Sequence, residues 1–339
     1  MQKKRLEFVD SAKGIAILLL LFSHTGPGNI VNSIITAFHM PIFFIISGIL
    51  ISYKYGDSIT AINIFKAIIK RTKQLFVPYY IFGLMLIVFF ALLGYISTGQ
   101  FSYKERLLSL LTFRGIESLW FIPVYFFAEI LLLSTLLFIK RKTSKTFIAA
   151  ASVVFLVSYF YIHENPQSQF LCLLLKTYVA YTFSLIGYLF HSTRHLYNRI
   201  LAAPLYMTIT LFTPFLICSL YNGTVGIGAL SFNNPFIFYI NAIGISILIF
   251  SLMNNCTKPQ INNCLTFFGQ NSIVILCTNN LIIEVFRLLD YKIFGNILIS
   301  WGLYGNLIFT IILIAIEIPI IILTQKTKLS ILFCKKIKT

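Results

Sequence analysis

Residues 10–24, DSAKGIAILLLLFSH, form an apolar stretch with a lysine near its start and a histidine at its end. Lys13 and His24 are 11 positions apart. At about 100° per residue, an α-helix returns positions with that spacing to nearly the same face. The two side chains then lie about 16 Å apart along the axis, since each residue adds about 1.5 Å. The stretch predicts a hydrophobic helix with a cation and an imidazole on one face.

The same apolar character extends over the rest of the chain. Of 339 residues, 58% are hydrophobic and 11% are charged, and the mean hydropathy is +0.86. Soluble globular chains and disordered chains do not have this composition. Apolar runs of about 20 residues without alternation are typical of membrane-spanning helices, whereas barrel strands alternate apolar and polar residues. The sequence therefore predicts an all-α, polytopic integral membrane protein.

About ten transmembrane helices are expected, in a single transmembrane domain over residues 1–339. Their approximate ranges are 9–25, 36–53, 75–97, 118–139, 146–162, 170–190, 200–220, 235–254, 265–287 and 295–325. Lysine and arginine collect in cytoplasmic loops, and most of the 27 in this chain fall on the side that holds both termini. Both termini are therefore expected to be cytoplasmic. Residues 54–74 have apolar positions at helical spacing and predict an amphipathic helix on that surface.

The net charge of +17 raises the question of a nucleic-acid partner. Short inner loops offer no surface that could read bases, and anionic lipid together with the membrane topology accounts for the charge. We therefore expect a lipid bilayer and no nucleic acid as partner. The six cysteines lack metal-type spacing, so no metal site and no disulfide framework is predicted.

Ionisable residues within the apolar runs are functional candidates, because a central charge costs about 2.5–3.5 kcal/mol on insertion scales. These residues are Asp10, Lys13, His24, His39, Glu129, Glu284 and Glu317. Near pH 7 an imidazole can take a proton from a hydroxyl and return it. The turn SHTGPG (23–28) and the helix start FHMP (38–41) let His24 and His39 converge at one helix–turn–helix end. Packing with a capping turn is the alternative. The remaining histidines, His163, His191 and His195, are expected to be solvated loop residues.

Several short motifs follow one another along the chain. The first group runs from Arg5 through Asp10, Lys13-Gly14 and His24 to FHMP (38–41), Phe43-Phe44 and Ser47-Gly48. Later come Lys70-Arg71 before VPY (77–79), LWFIP (119–123) with Glu129 beyond it, and FGQNS (268–272). Together they resemble the acyltransferase-3 family of integral membrane acyltransferases over nearly the whole length. Its motifs fall in the predicted helices 9–25, 36–53, 118–139 and 265–287, and residues 140–260 carry none.

The resemblance implies a membrane domain of ten core helices that catalyses acyl transfer. Such proteins move an acyl group, commonly acetyl, from a cytoplasmic thioester such as acetyl-CoA to a hydroxyl of a cell-surface glycan or lipid-linked sugar. By resemblance, His24 is the catalytic base, and Lys13 and His39 complete the catalytic set. His24 either acts directly on the acceptor hydroxyl or transiently carries the acyl group. Donor phosphates would contact Lys70, Arg71 and Lys73, and phosphate anions do favour basic side chains. Acceptor-binding or supporting positions would be Asp10, Trp120, Glu129, Asn271 and Asn279. Trp120 has a second interpretation as an interfacial anchor.

In one position the chain departs from this pattern. Many relatives have a histidine in the helix after the Gly-X-Asn-Ser motif, where this chain has CTNN (277–280). Asparagine donates and accepts hydrogen bonds but cannot act as a base near neutral pH. We expect Asn279 to orient the acceptor in place of that histidine. If the histidine is essential to the reaction, the chain is a family member that binds without turnover.

The expected function is O-acetylation of a capsule, exopolysaccharide or O-antigen in the inner (cytoplasmic) membrane. No bound cofactor is expected, because acetyl-CoA or another acyl-CoA acts as a co-substrate. A homodimer is compatible with the chain. The alternatives are a polysaccharide transporter or lipid-linked glycan flippase, which would also carry buried ionisable groups, and the non-catalytic family member.

Overall fold

The computed structural model describes residues 6–56, 60–138, 168–295 and 300–333. Every regular element in these ranges is a helix, and one isolated β-bridge pairs Gly226 with Ser231. The fold class is all-α, as predicted.

Thirteen α-helices, numbered here in chain order, make up the described ranges. They are α1 (Glu7–Thr25), α2 (Asn29–Thr36), α3 (Pro41–Tyr55), α4 (Ala61–Thr98), α5 (Lys104–Leu111), α6 (Phe121–Phe138), α7 (Gln169–Ser192), α8 (Arg194–Leu201), α9 (Leu205–Asn222), α10 (Pro235–Asn254), α11 (Pro259–Gln270), α12 (Ser272–Phe294) and α13 (Gly302–Lys326). Two 3₁₀ helices, Glu117–Trp120 and Lys328–Phe333, precede α6 and follow α13.

Nine segments in the described ranges are long and apolar enough to cross a membrane. They are Glu7–Thr25, Asn29–Tyr55, Ala61–Ile96, Glu117–Leu137, Gln169–Ser192, Leu205–Asn222, Pro235–Asn254, Ser272–Ile293 and Gly302–Lys326. Each overlaps one of the spans predicted from the sequence. The remaining predicted span, 146–162, lies outside the described residues, as does His163.

Two predicted boundaries differ from the structure. The sequence suggested a surface helix over 54–74 before a span at 75–97, but α4 is one continuous helix of 38 residues. Residues 61–77 contain neither glycine nor proline, so nothing in the chain ends the helix there. The predicted span 265–287 is instead two helices, α11 and α12, separated at Asn271. The Asn271 Nδ2 donates to the carbonyl of Phe267 at 2.7 Å and so satisfies a carbonyl at the end of α11.

The chain divides into two compact units. The first unit comprises Met1–Ser23, Gly28–Phe65 and Phe127–Ser272, and the second comprises His24–Pro27, Lys66–Phe126 and Ile273–Thr339. Each has its own buried apolar interior.

Glycines set the helix packing of the first unit. A Cβ on Gly48 of α3 would overlap the backbone of Ser184 in α7, and a Cβ on Gly187 would overlap the backbone of Ile45. The same relation joins α1 and α11, where Gly14 lies against the backbone of Leu265. Small residues at such contacts let helix backbones approach each other closely, which is a common way of packing membrane helices.

The inner face of α7 also holds His191, which the sequence analysis assigned to a solvated loop. That prediction is wrong, because α7 continues to Ser192 and buries the imidazole at 3% exposure. Its Nδ1 lies 2.9 Å from the hydroxyl of Ser52 in α3. The ring of Tyr197 in α8 packs edge-on against it at 4.9 Å. Burial raises the pKa of Tyr197 to about 12, so this neighbour is a neutral phenol near pH 7. His195, by contrast, is exposed.

The second unit is built around α4, α5, α12 and α13. The hydroxyl of Tyr79 in α4 donates to the carbonyl of Leu110 in α5 at 2.9 Å. Phe286 in α12 stacks on Phe309 in α13 with ring centroids 4.4 Å apart. Leu313 extends this apolar contact between α12 and α13. The contacts between α12 and α13 join the two helices whose side chains reach His24 and Gly26 at the end of α1.

Candidate functional site

His24 lies in the last turn of α1 and belongs to the second unit. Its side chain is half-buried, and within the described part of the chain its ring nitrogens have no hydrogen-bond partner. The backbone then turns through Gly26 and Gly28, with φ of 87° and 94°. Such angles favour glycine over residues with a Cβ. The imidazole is therefore held at a helix end with both nitrogens available to a ligand.

Side chains from α12 and α13 contact this turn. The Nη2 of Arg287 donates to the backbone carbonyl of His24 at 2.9 Å, and its Nη1 pairs with Glu284 at 3.2 Å. The Nδ2 of Asn306 donates to the carbonyl of Gly26 at 2.9 Å. The Thr25 hydroxyl in turn donates to the carbonyl of Asn306 at 3.5 Å. Sequence reasoning missed Arg287 and Asn306 as site residues.

Lys13 lies in the same helix, three turns before His24, as their spacing predicted. Its Nζ forms an ion pair with the buried carboxylate of Asp10 at 3.7 Å. Asp10 also lies against Gly269 of α11, where a Cβ would overlap its carbonyl oxygen. The Ser11 hydroxyl contacts Asn262 and lies 3.0 Å from the hydroxyl of Thr266. The structure thus joins two of the predicted site residues, Asp10 and Lys13, within the first unit.

Three further predicted residues belong to the first unit. His39 is buried in the turn between α2 and α3, and its Nδ1 lies 2.9 Å from the carbonyl of Ile35. Asn271 is buried between α11 and α12, and Glu129 is buried in α6. The convergence of His39 with His24 stays a prediction.

A buried polar cluster lies on α12 in the second unit. The Ser118 hydroxyl lies 2.9 Å from the carbonyl of Leu276 and 3.2 Å from Oδ1 of Asn279. Asn280 donates from Nδ2 to the same hydroxyl oxygen at 2.8 Å. Asn279 is fully buried, and its Nδ2 has no hydrogen-bond partner among the residues that the structure describes. A buried amide N–H without an acceptor costs about 1–3 kcal/mol, so this group is a candidate ligand contact.

Trp120 and Ser118 come from the same short element, the 3₁₀ helix Glu117–Trp120. Trp120 is half-buried, and its ring contacts Phe121 with centroids 6.2 Å apart. The sequence drew attention to Trp120, but Ser118, two residues earlier, makes the contacts with α12. In the sequence, the only indication that Ser118 belongs to the site was its position directly before the LWFIP motif.

A second buried pair joins α12 to α13. Glu317 has no exposed surface, and both of its carboxyl oxygens lie 2.9 Å from the hydroxyl of Thr278. The sequence analysis counted Glu317 among the buried ionisable residues and gave it no role.

Replacing Thr278 by valine is expected to lower the free energy of unfolding by about 1–3 kcal/mol, because it leaves a buried carboxyl without its donor. The measurement is thermal unfolding of the purified protein in detergent. Thr278→Ser keeps the hydroxyl and is expected to unfold closer to the wild type. Equal melting temperatures for the valine variant and the wild type would contradict the structural role of this bond.

The predicted donor-binding residues lie in the first half of α4. Lys70 and Lys73 are exposed, and Arg71 is half-buried. Positions three apart in a helix are neighbours on its surface, so Lys70 and Lys73 present adjacent cations. Such a pair can contact a phosphate anion.

Comparison with known proteins was made for the whole chain. Residues 6–324 match the family model of acyltransferase-3, which is described as an acyltransferase domain. No curated protein and no solved structure matched the chain. Groups of three or more histidine, cysteine, aspartate or glutamate side chains that could hold a metal ion do not occur in the described ranges.

Proposed function

The chain is a multi-pass membrane protein of the acyltransferase-3 family, and from that premise we propose that it is an O-acetyltransferase of the cytoplasmic membrane. The donor is acetyl-CoA, and the acceptor is a hydroxyl of a cell-surface polysaccharide or its lipid-linked precursor. One observation carries the proposal: the half-buried His24 imidazole has both nitrogens available, at a helix end that other side chains fix.

The proposed reaction uses His24 as general base. A ring nitrogen takes the proton of the acceptor hydroxyl as its oxygen attacks the thioester carbonyl. The new carbon–oxygen bond forms, the carbon–sulfur bond breaks, and the imidazolium returns the proton to the departing thiolate. The products are the acetyl ester and free coenzyme A.

Lys70, Arg71 and Lys73 would bind the anionic end of the donor. Coenzyme A carries a 3′-phosphate and a pyrophosphate, and exposed lysines at adjacent helix positions can contact them. Lys13, paired with Asp10, and His39 complete the catalytic set in this proposal, and Trp120 and Glu129 have supporting roles.

Lys70→Gln with Lys73→Gln is expected to raise the KM for acetyl-CoA about tenfold, which corresponds to about 1.4 kcal/mol of binding, and to leave kcat unchanged. The measurement is acetyl transfer by membrane vesicles at several donor concentrations. Acetyl-dephospho-CoA, which lacks the 3′-phosphate, provides the sharper comparison, because the double variant should discriminate less between the two donors. Lys104→Gln, on α5, is the matched control. An unchanged KM with an unchanged donor preference would contradict this assignment.

Asn279 would bind the acceptor through its free amide N–H, since a sugar oxygen can supply the missing hydrogen-bond acceptor. Asn279→Leu is expected to lower the transfer rate about tenfold. The variant loses one buried hydrogen bond of about 1.4 kcal/mol, and a free energy of that size corresponds to a factor of ten. The rate is measured as radiolabelled acetyl entering the glycan. Asn63→Leu, an exposed asparagine on α4, is the control.

A second substitution at this position addresses the non-catalytic alternative. In the proposed mechanism a second imidazole is not required, so Asn279→His should leave transfer active. If the wild-type protein transfers no acetyl but the Asn279→His variant does, the chain is instead a family member that has lost turnover.

The experiment that tests the function is the acetyl content of the host's purified surface glycan by proton NMR. Cells that lack the gene are compared with cells restored with the wild-type protein at known membrane abundance. Acetyl signals that appear only with the protein support the acetyltransferase. Unchanged acetylation with reduced glycan export would identify the transporter or flippase instead.

A further inference from the structure

The end of α1 is held by side chains that are distant in sequence. Arg287 is 263 positions from His24, whose carbonyl it contacts, and Asn306 is 280 positions from Gly26. All of these residues belong to the second unit. The last carbonyls of a helix have no partner within the helix, so contacts from elsewhere decide how firmly this turn is held.

Arg287 is suited to this contact by charge and shape. The helix dipole places partial negative charge at the C-terminal end, which favours a cation there. The planar guanidinium donates in fixed directions. Its Nη1 forms an ion pair with the carboxylate of Glu284, one turn earlier in α12. With one nitrogen oriented in this way, Nη2 is directed at the carbonyl of His24.

Asn306 holds the next part of the turn. Its amide donates to Gly26, and its backbone carbonyl accepts from the hydroxyls of Thr25 and Thr310. Asn306 is buried, so water competes little for these bonds. The chain from the carbonyl of His24 to Gly26 is therefore tied to α12 and α13.

A catalytic imidazole is often oriented by a carboxylate or carbonyl behind the ring. The described residues give the His24 ring no such partner, so its direction depends on where the backbone places the Cα–Cβ bond. We propose that Arg287, with Asn306, is a positioning residue for His24: it holds the carbonyl of His24 and thereby sets the direction of the imidazole. This inference rests on the proposed function of His24.

The kinetic test compares Arg287→Gln, Arg287→Lys and the control Arg106→Gln in membrane vesicles with radiolabelled acetyl-CoA and the host glycan. Arg106 also donates to a backbone carbonyl, that of Ser102, but lies on α5 and does not contact the turn. A displacement of about 1 Å at a reacting group can cost about 100-fold in rate. We expect Arg287→Gln to lower kcat 10-fold to 100-fold with the KM for acetyl-CoA within twofold of the wild type. Arg287→Lys should restore part of kcat, since the ammonium keeps a cationic donor but lacks the fixed, planar donor geometry of the guanidinium.

A second readout does not depend on activity. The chain has five histidines, so ¹⁵N-histidine labelling gives few imidazole signals, and the one lost in His24→Ala identifies His24. In Arg287→Gln this signal should shift or broaden while the signals of His191 and His195 stay in place. If the wild type transfers no acetyl, the proposed function fails while the spectrum still tests the contact.

Two results would overturn the positioning role. One is an unchanged His24 signal in Arg287→Gln. The other is a rise in KM with kcat unchanged, which would make Arg287 a donor-binding residue. If Arg287→Gln does not accumulate in membranes, the kinetic and NMR measurements are made on Asn306→Ala instead. The same fall in kcat and the same shift of the His24 signal are expected.

Discussion

The His24→Ala variant should lose acetyl transfer by about 100-fold to 10,000-fold, the range that a positioned general base supplies. The loss is expected in kcat, because alanine removes the proposed proton acceptor and leaves the proposed donor-binding cations in place. The measurement is the initial rate at which radiolabelled acetyl enters the surface glycan, at equal membrane abundance of the variants. The acetyl signals in the proton NMR spectrum of the glycan should disappear in parallel.

Two further histidine variants make this result specific. His24→Gln keeps hydrogen-bonding groups without a base of suitable strength, so it should be as inactive as His24→Ala. His195→Ala removes an exposed imidazole on α8 and should transfer at the wild-type rate. Substantial transfer by both His24 variants would refute the assignment of the base. Their activity would then direct attention to His39, the buried histidine between α2 and α3.

Gly48→Ala should prevent the first unit from folding correctly. The added Cβ would overlap the carbonyl oxygen of Ser184 and lie close to the backbone nitrogen of Tyr188. Overpacking a tight core costs about 1–3 kcal/mol, and more is expected here because the obstacle is the backbone of α7 and not the end of a flexible side chain. We expect little monodisperse protein by size-exclusion chromatography in detergent and a lower melting temperature for what remains.

The matched control is another helical glycine. Gly94 in α4 has space for a Cβ, whose nearest neighbour would be the carbonyl oxygen of Gln100 at 3.4 Å. Alanine is favoured over glycine in a helix interior by about 1 kcal/mol, so Gly94→Ala should be tolerated. Gly187→Ala, which meets the backbone of Ile45 from the other helix, should behave like Gly48→Ala. Normal folding of both Gly48→Ala and Gly187→Ala would mean that the backbones of α3 and α7 do not lie in direct contact at these glycines.

These two predictions concern different properties. The glycine variants test the packing that builds the first unit, and the His24 variants test chemistry in the second unit. A His24 variant that elutes and melts like the wild type but transfers no acetyl would separate catalysis from folding.

The sequence alone determined the fold class, the approximate positions of the nine candidate membrane spans in the described ranges, and the placement of Lys13 and His24 in one helix. These properties depend on local composition and spacing, because an apolar run of about 20 residues in a bilayer satisfies its backbone only as a helix. The motifs also identified the family, which the match over residues 6–324 confirmed.

Only the tertiary structure decided which side chains meet. The contacts of Arg287 with His24 and of Ser118 with Asn279 join positions 263 and 161 apart, and the break at Asn271 and the burial of His191 are equally invisible in local patterns. The hydrophobic pattern predicts that a helix crosses the membrane, but it does not predict which neighbouring helix it packs against. That choice depends on glycine contacts and hydrogen bonds between helices, such as the hydrogen bond that Arg287 donates to the carbonyl of His24.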